Sequence, residues 1–289
     1  MTTVPAGACD CHAHVFGPYD RFPLAPDRPY TPGEARLDDL RAMHEALGIE
    51  RVVIVAASPY GTDNAAIVDA LRRLDGAGRG VVALDPEALA DADLAGMHAA
   101  GVRGVRINLA SVGDEDPEAA APILRATARA VARLRWHVDL HAGLDVVAAL
   151  KETISTSPAP TVVDHFGLAD PDAGPAHPGF AALRDLAASG AAYVKLSAPE
   201  RITDDPDGHG VAALARALLD AAPDRMLWAS DWPHTGGGPH GGGARDPDRV
   251  EPFRSVDDAH ALERLHAWTH DDDEARRVLV TNPARLYGF

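Results

Sequence analysis

The chain has 289 residues, 46% of them hydrophobic and 5% aromatic, with 43 acidic against 27 basic side chains and a formal charge of −16. So acidic a balance repels phosphate backbones and anionic lipid surfaces, which argues against nucleic acid and membrane partners and means that an anionic ligand needs a local arginine cluster. No stretch approaches the ~20 apolar residues of a membrane span and no basic, then apolar leader opens the chain, so the expectation is a soluble, cytoplasmic protein.

The first expected strand is Ala8–Val15, where His12 and His14 stand two residues apart. On a strand that spacing puts both imidazoles on one face, converging at the strand's end. The only cysteines, Cys9 and Cys11, share this strand. They are badly placed for a disulfide and lack a second pair for a metal, so they read as small apolar fillers turned toward the helices.

A Pro- and Asp-rich loop, Phe16–Gly33, is expected to cover the mouth of the fold, followed by a helix over Glu34–Leu47 with Leu37, Leu40, Met43, His44 and Leu47 at helical spacing. The continuous apolar run Val52–Ala56 has the pattern of a strand buried on both faces. The alternation then repeats: helix Asn64–Leu74, strand Val81–Leu84, helix Ala88–Ala99, strand Gly104–Leu109, helix Pro117–Leu134, strand Trp136–His141, helix Leu144–Ile154 and strand Thr161–His165. The last rounds are helix Gly179–Ala188, strand Tyr193–Ser197, helix Gly210–Leu219 and strand Met226–Asp231. Eight strands separated by helices or long loops predict an α/β fold, a closed (β/α)8 TIM barrel forming one domain over residues 1–289. A glycine-rich loop near 235–250 follows the last strand, either a flexible lid, the reading favoured by its place after a candidate catalytic strand, or a disordered segment, before helices at Val256–Trp268 and Asp273–Leu279.

In such a barrel chemistry sits at the carboxyl ends of the strands. Those ends carry His12 and His14, Arg106 and Asn108, His141, His165, and Asp231. Parity turns His137, Asp139 and His141 inward, and Lys195 likewise, so Asp10, Asp139 and Lys195 are expected to form a buried ionic layer with the lysine as structural counter-ion. His12, His14, His141 and Asp231 offer ligands for one divalent ion, Zn²⁺ or else Mn²⁺, with a position left for water, while His165 stays free to polarise a carbonyl or move protons. Without an ion, Asp231 acts as base toward water and the imidazoles stabilise the developing oxyanion. Both versions stay open, and both point to chemistry at a carbonyl.

Seven segments now carry a resemblance: Asp10–His14, Gly104–Asn108, Trp136–Val138, Asp164–Gly167, Val194–Ser197, Ser230–His234 and Asn282–Phe289. Together they make the chain resemble the amidohydrolase superfamily, in the lactonase branch that includes 2-pyrone-4,6-dicarboxylate lactonase. The resemblance implies a distorted barrel in which Asp231 activates water against a lactone carbonyl and later protonates the departing oxygen. It implies that His12, His14 and His165 surround the carbonyl oxygen and that Arg106 and Arg201 hold a substrate carboxylate, a task suited to bidentate guanidinium. Ser58, Tyr60, Thr62 and Asn64 after the second strand are candidates for neutral hydrogen bonds, and His234 for a substrate contact or a cap on the mobile loop.

Two departures qualify this. The stretch Leu109–Gly113 is neutral where the pyrone dicarboxylate enzymes carry a second basic cluster. His141 stands where one-metal relatives have a histidine, which admits a divalent ion.

The expected function is hydrolysis of a small carboxylated or polyhydroxylated lactone, of the sugar-acid or muconolactone kind. The alternatives are a lactone isomerase, a metal-dependent decarboxylase on the same barrel, and a non-catalytic small-ligand-binding barrel. A homo-oligomer is left open.

Overall fold

A computed structural model describes residues 4–86, 88, 92–110, 116–236 and 245–289. Eight parallel strands follow the chain in order: β1 Cys9–Ala13, β2 Arg51–Val55, β3 Gly78–Val82, β4 Val102–Asn108, β5 His137–His141, β6 Thr161–Val163, β7 Ala192–Ser197 and β8 Met226–Ala229. Beyond the end of β8 the chain closes on β1, with Asp231 N donating to His12 O at 2.9 Å and His14 N to Trp232 O at 2.8 Å. This seam holds bridging bonds rather than a full ladder, which makes the (β/α)8 barrel a distorted one.

The helices are α1 Leu37–Leu47, α2 Ala65–Arg73, α3 Leu94–Ala99, α4 Pro117–Ala132, α5 Leu144–Ala149, α6 Lys151–Ser155, α7 Pro178–Ala188 and α8 His209–Ala221, then α9 Asp258–Trp268, α10 Asp272–Arg276 and α11 Asn282–Tyr287. Local chemistry sets their ends. Asp116 accepts from Glu118 N ahead of Pro117 at the start of α4, and Gly48 stops α1 with a φ of 75° that glycine adopts without a Cβ penalty. The expected helix over Leu144–Ile154 is two short ones meeting at Leu150. Among the described residues no helix is long and apolar enough to cross a membrane.

The strands are buried on both faces, as the apolar runs predict. Ile54, Val138, Leu140, Val194 and Leu196 pack outward against the helices. A smaller cluster of Cys9, Cys11, Val53, Val55, Val81, Val162 and Leu227, with Tyr287, occupies the interior. The cysteines therefore face into the barrel, contrary to the parity reading, and Asp10 faces out.

The cause is a register shift in β1. Asp10 pairs with Val52 and Ala13 with Ile54, so two residues of β1 oppose one of β2. Such a bulge reverses the alternation and lets Cys9 and Cys11 line the floor while His12 and His14 still point inward above them. Asp10 is thus no part of the ionic layer. Its Oδ1 accepts from His12 N (3.1 Å) and Ser230 N (3.0 Å), and its Oδ2 lies 2.5 Å from Ser230 Oγ and 3.1 Å from His44 Nε2. One outward carboxylate thereby pins the bulge to the end of β8.

The two ends of the barrel are closed differently. At the amino-terminal end Arg79 donates to the carbonyls of Tyr287 and Gly288 and lies over the ring of Phe289. At the carboxyl end the loop after β1 does cover the mouth. Phe16 stacks between Tyr60 and Phe253, Thr31–Pro32 pairs with Val250–Glu251, and Arg245 lies over Tyr30. Residues 237–244 of the glycine-rich segment lie outside the described residues, as do Ser111–Gly113 of the neutral stretch after β4.

Candidate active site

Two strands end earlier than their sequence suggests. β6 stops at Val163 and β8 at Ala229 because His165 and Asp231 adopt φ of 49° and 64°. That left-handed conformation cannot continue a strand and costs about 1–2 kcal/mol in a residue with a Cβ. It turns both side chains off the ladder into the mouth.

At the base of the mouth lies an ionic layer around Lys195, which is wholly buried. Its Nζ is 2.6 Å from Asp139 Oδ2, 2.8 Å from Asp164 Oδ1 and 2.9 Å from His12 Nδ1. Arg106 adds a contact to Asp164 Oδ2 at 3.3 Å. Burial raises the Asp139 carboxyl, and neighbouring Asp164 raises it further, to about 7. Burial pushes Asp164 the same way, but Lys195 and His12 outweigh it and hold this carboxyl well below the usual range.

His12 Nδ1 lies 2.9 Å from Lys195 Nζ and 3.3 Å from Asp164 Oδ1; the shorter contact is to an ammonium that has only hydrogens to offer, so Nδ1 accepts from Lys195 and the neutral ring carries its hydrogen on Nε2. His14 Nδ1 lies 2.8 Å from the Val55 carbonyl, which can only accept. His14 therefore donates from Nδ1 and presents a lone pair on Nε2, 3.3 Å from His12 Nε2. The hydrogen-bond partners thus assign both tautomers.

Asp231 completes the centre. Its Oδ2 accepts from Arg201 Nε at 2.8 Å and lies 2.7 Å from Arg201 Nη2 and 3.2 Å from Arg254 Nη2. Its Oδ1 is 3.6 Å from His165 Nε2 and 3.9 Å from His12 Nε2, buried and, among the described residues, without a hydrogen-bond partner. Burial alone would raise this carboxyl; Arg201, with the nearby histidines and Arg254, instead holds it far below the ordinary range. His165 Nδ1 is fixed by Ser197 Oγ at 2.8 Å. His141 sits behind, 4.0 Å from Asp164 Oδ2, with its ring 5.4 Å from that of His165.

The remaining candidates divide. Arg106, Ser58 and Asn108 line a cavity of about 280 Å³ with Ala56, Ala57 and Arg28, and Asn108 donates to Ser58 Oγ. Arg106 Nε is a buried donor with no hydrogen-bond partner among the described residues. Tyr60 is committed elsewhere, its hydroxyl accepting from Gly17 N. Thr62 is exposed, and Asn64 holds the Thr62 and Ala83 carbonyls. His234 lies 3.2 Å from Asp258 of α9, and its carbonyl takes the Arg254 backbone N–H.

Sequence reasoning gives no role to Asp164 or Arg254. Asp164 sits beside His165 in the Asp-His-Phe-Gly segment, and that adjacency is the one signal that could have found it. Arg254 lies in a stretch with no periodicity, and only the folding of that stretch across the mouth brings it to Asp231.

Among the described residues three groups lie close enough to share a cation: His12, His165 and Asp231; His141, Asp164 and His165; and His12, Asp139 and Asp164. The Lys195 ammonium already fills the third. The first fits a divalent ion in donor type and spacing, with the unpartnered Asp231 Oδ1 as one ligand. Seating an ion there requires the His12 Nε2 hydrogen to leave. His165 is the imidazole grouped with His12 and Asp231, whereas the expected ligands His14 and His141 are not grouped with that pair.

Stability should depend on pH through these rings. Burial holds His14 at about 4 and His137 and His165 each at about 3, against ~6.5 in an unfolded chain. Between those values the unfolded chain binds more protons, so their contribution is full above about pH 6.5 and is lost as pH falls, on the order of 1 kcal/mol per histidine per pH unit. Asp139, raised to about 7, works in the opposite sense and offsets one histidine. The urea midpoint should therefore drop from pH 7 to pH 5; a flat or rising midpoint would contradict the burial of neutral imidazoles.

A parallel eight-stranded barrel that gathers imidazoles and a carboxylate at the carboxyl ends of its strands is the frame of a barrel hydrolase. The chain belongs to the amidohydrolase family, whose profile matches residues 9–289. It is 35% identical to a 4-sulfomuconolactone hydrolase of Rhizobium radiobacter, over 99% of this chain and 91% of that one. It is 34% identical to a 2-pyrone-4,6-dicarboxylate hydrolase of Comamonas testosteroni, over 98% and 91%. A Pseudomonas putida crystal structure, provisionally assigned as a 2-pyrone-4,6-dicarboxylic acid hydrolase, superposes with a TM-score of 0.81 at 32% identity, covering 99% of this chain and 98% of that one. The chain is thus a hydrolase of the amidohydrolase family, similar over nearly its whole length to proteins that hydrolyse 4-sulfomuconolactone and 2-pyrone-4,6-dicarboxylate.

Proposed function

We propose that this protein hydrolyses a small lactone bearing a carboxylate, with Asp231 as general base. The observation that carries the reading is Asp231 Oδ1, ionised, buried and unpartnered, facing the Nε2 atoms of His165 and His12. A water lodged there gives its proton to Oδ1 as its oxygen bonds to the ring carbonyl carbon. The carbonyl oxygen takes up the negative charge and accepts from His12 Nε2–H, with His165 beside it. Collapse of the tetrahedral species breaks the ring C–O bond, and Asp231 returns the proton to the departing oxygen. The new carboxylic acid then ionises.

Lys195 serves this sequence from below by holding His12 in the tautomer that presents a donor. Arg106 and Arg201 are the cations for the substrate carboxylate, and Ser58 and Asn108 supply neutral hydrogen bonds in the adjoining cavity. A divalent ion, zinc or manganese, held by His12, His165 and Asp231 would add Lewis-acid polarisation of the carbonyl.

The test is a weakly buffered assay on carboxylated five- and six-membered lactones. One equivalent of base consumed per ring opened, without release of CO₂, is expected. Substrate loss without base consumption would make the protein an isomerase, and CO₂ release a decarboxylase; either result overturns the proposal.

A further inference from the structure

We propose that Arg254 is a specificity-determining residue, the second half of a guanidinium pair that receives an anionic group of the substrate beside Asp231. The inference rests on the lactonase reading and extends it to a residue far from the barrel strands in sequence.

Its first support is charge. Among the described residues, four cations around the centre, Lys195, Arg106, Arg201 and Arg254, face three carboxylates, Asp139, Asp164 and Asp231. The excess sits at the mouth, where Arg201 and Arg254 both rest on Asp231 Oδ2. Two neighbouring acids are engaged elsewhere, Glu200 with Arg264 and Glu251 with Arg245. In a chain of net charge −16, a buried site holding surplus positive charge is arranged for an anion.

The second support is an unused donor. Arg254 Nη1 is buried and has no hydrogen-bond partner among the described residues, and a donor so placed is costly unless a ligand takes it. The third is positioning. The Arg254 backbone donates to the His234 carbonyl at 3.0 Å, and the preceding Phe253 stacks on Phe16. The guanidinium is thus held over the mouth by the same contacts that pack its segment against the loop after β1. A carboxylate or sulfonate entering there would accept from Arg254 Nη1 and share Arg201. It would supply the acid that the neutral stretch after β4 leaves unclamped, and draw guanidinium away from Asp231.

The experiment compares wild type, Arg254→Gln and Arg254→Lys on a carboxylated lactone and on its methyl ester, together with calorimetric titration of each protein with adipate. Arg254→Gln should lower the acid-to-ester ratio of kcat/KM about tenfold, chiefly through KM, and weaken adipate by a similar factor, the scale of one charge-assisted contact. Arg254→Lys, which keeps the charge, should recover part of both. An unchanged ratio together with unchanged adipate affinity would overturn the proposal, as would equal losses on acid and ester with a lowered melting temperature. If wild type opens no lactone, the hydrolase reading fails, and the adipate titrations still decide whether Arg254 binds an anion.

Discussion

Asp231→Asn should lower kcat by about 10³-fold while leaving the fold intact, because the change removes a general base but keeps the size of the side chain. The amide oxygen can still accept from Arg201, so substrate affinity should fall far less than turnover. Single-turnover kinetics alongside direct binding separates the two. Retained affinity with lost turnover identifies an enzyme, whereas retained turnover would place the base elsewhere and leave the unpartnered Oδ1 without a role.

The largest effect on stability is expected at Lys195. Its ammonium is wholly buried and is the shared counter-ion of Asp139 and Asp164. Lys195→Met leaves the volume nearly filled but strands those carboxylates, so a loss of about 3–5 kcal/mol is expected in urea denaturation. Burial already holds Asp139 at about 7, so Asp139 can neutralise itself by taking a proton. The double variant Lys195→Met, Asp139→Asn should accordingly recover part of the loss, and any recovery should be larger at pH 7.5 than at pH 6. Activity should not return with it, since His12 Nδ1 would still lack its donor. Full stability in the single variant would show that the layer is not held by this charge.

The barrel was legible because both of its periodicities are written in the chain. Apolar runs such as Val52–Val55 are buried on both faces, and amphipathic stretches such as Leu37–Leu47 pack between them. The histidines and Asp231 were legible for the same reason, since titratable groups at the ends of apolar strands are costly to bury unless they line a site.

What the sequence concealed has specific physical causes. The bulge in β1 adds one residue to one strand, and no local pattern announces it, so the parity of Cys9, Cys11 and Asp10 was inverted. The left-handed turns at His165 and Asp231 shorten two strands that composition would extend. Arg201, expected to hold a substrate carboxylate, rests on Asp231. Arg254 joins it across more than fifty residues, through a segment whose course depends on aromatic stacking with the loop after β1.

The most direct test of the account is the fate of water oxygen. Turnover of a carboxylated lactone in H₂¹⁸O under single-turnover conditions, read by mass spectrometry, should place one ¹⁸O in the new carboxylate derived from the ring carbonyl and none in the departing hydroxyl. A product without label, or label only in the hydroxyl, would contradict attack of an Asp231-activated water on the carbonyl.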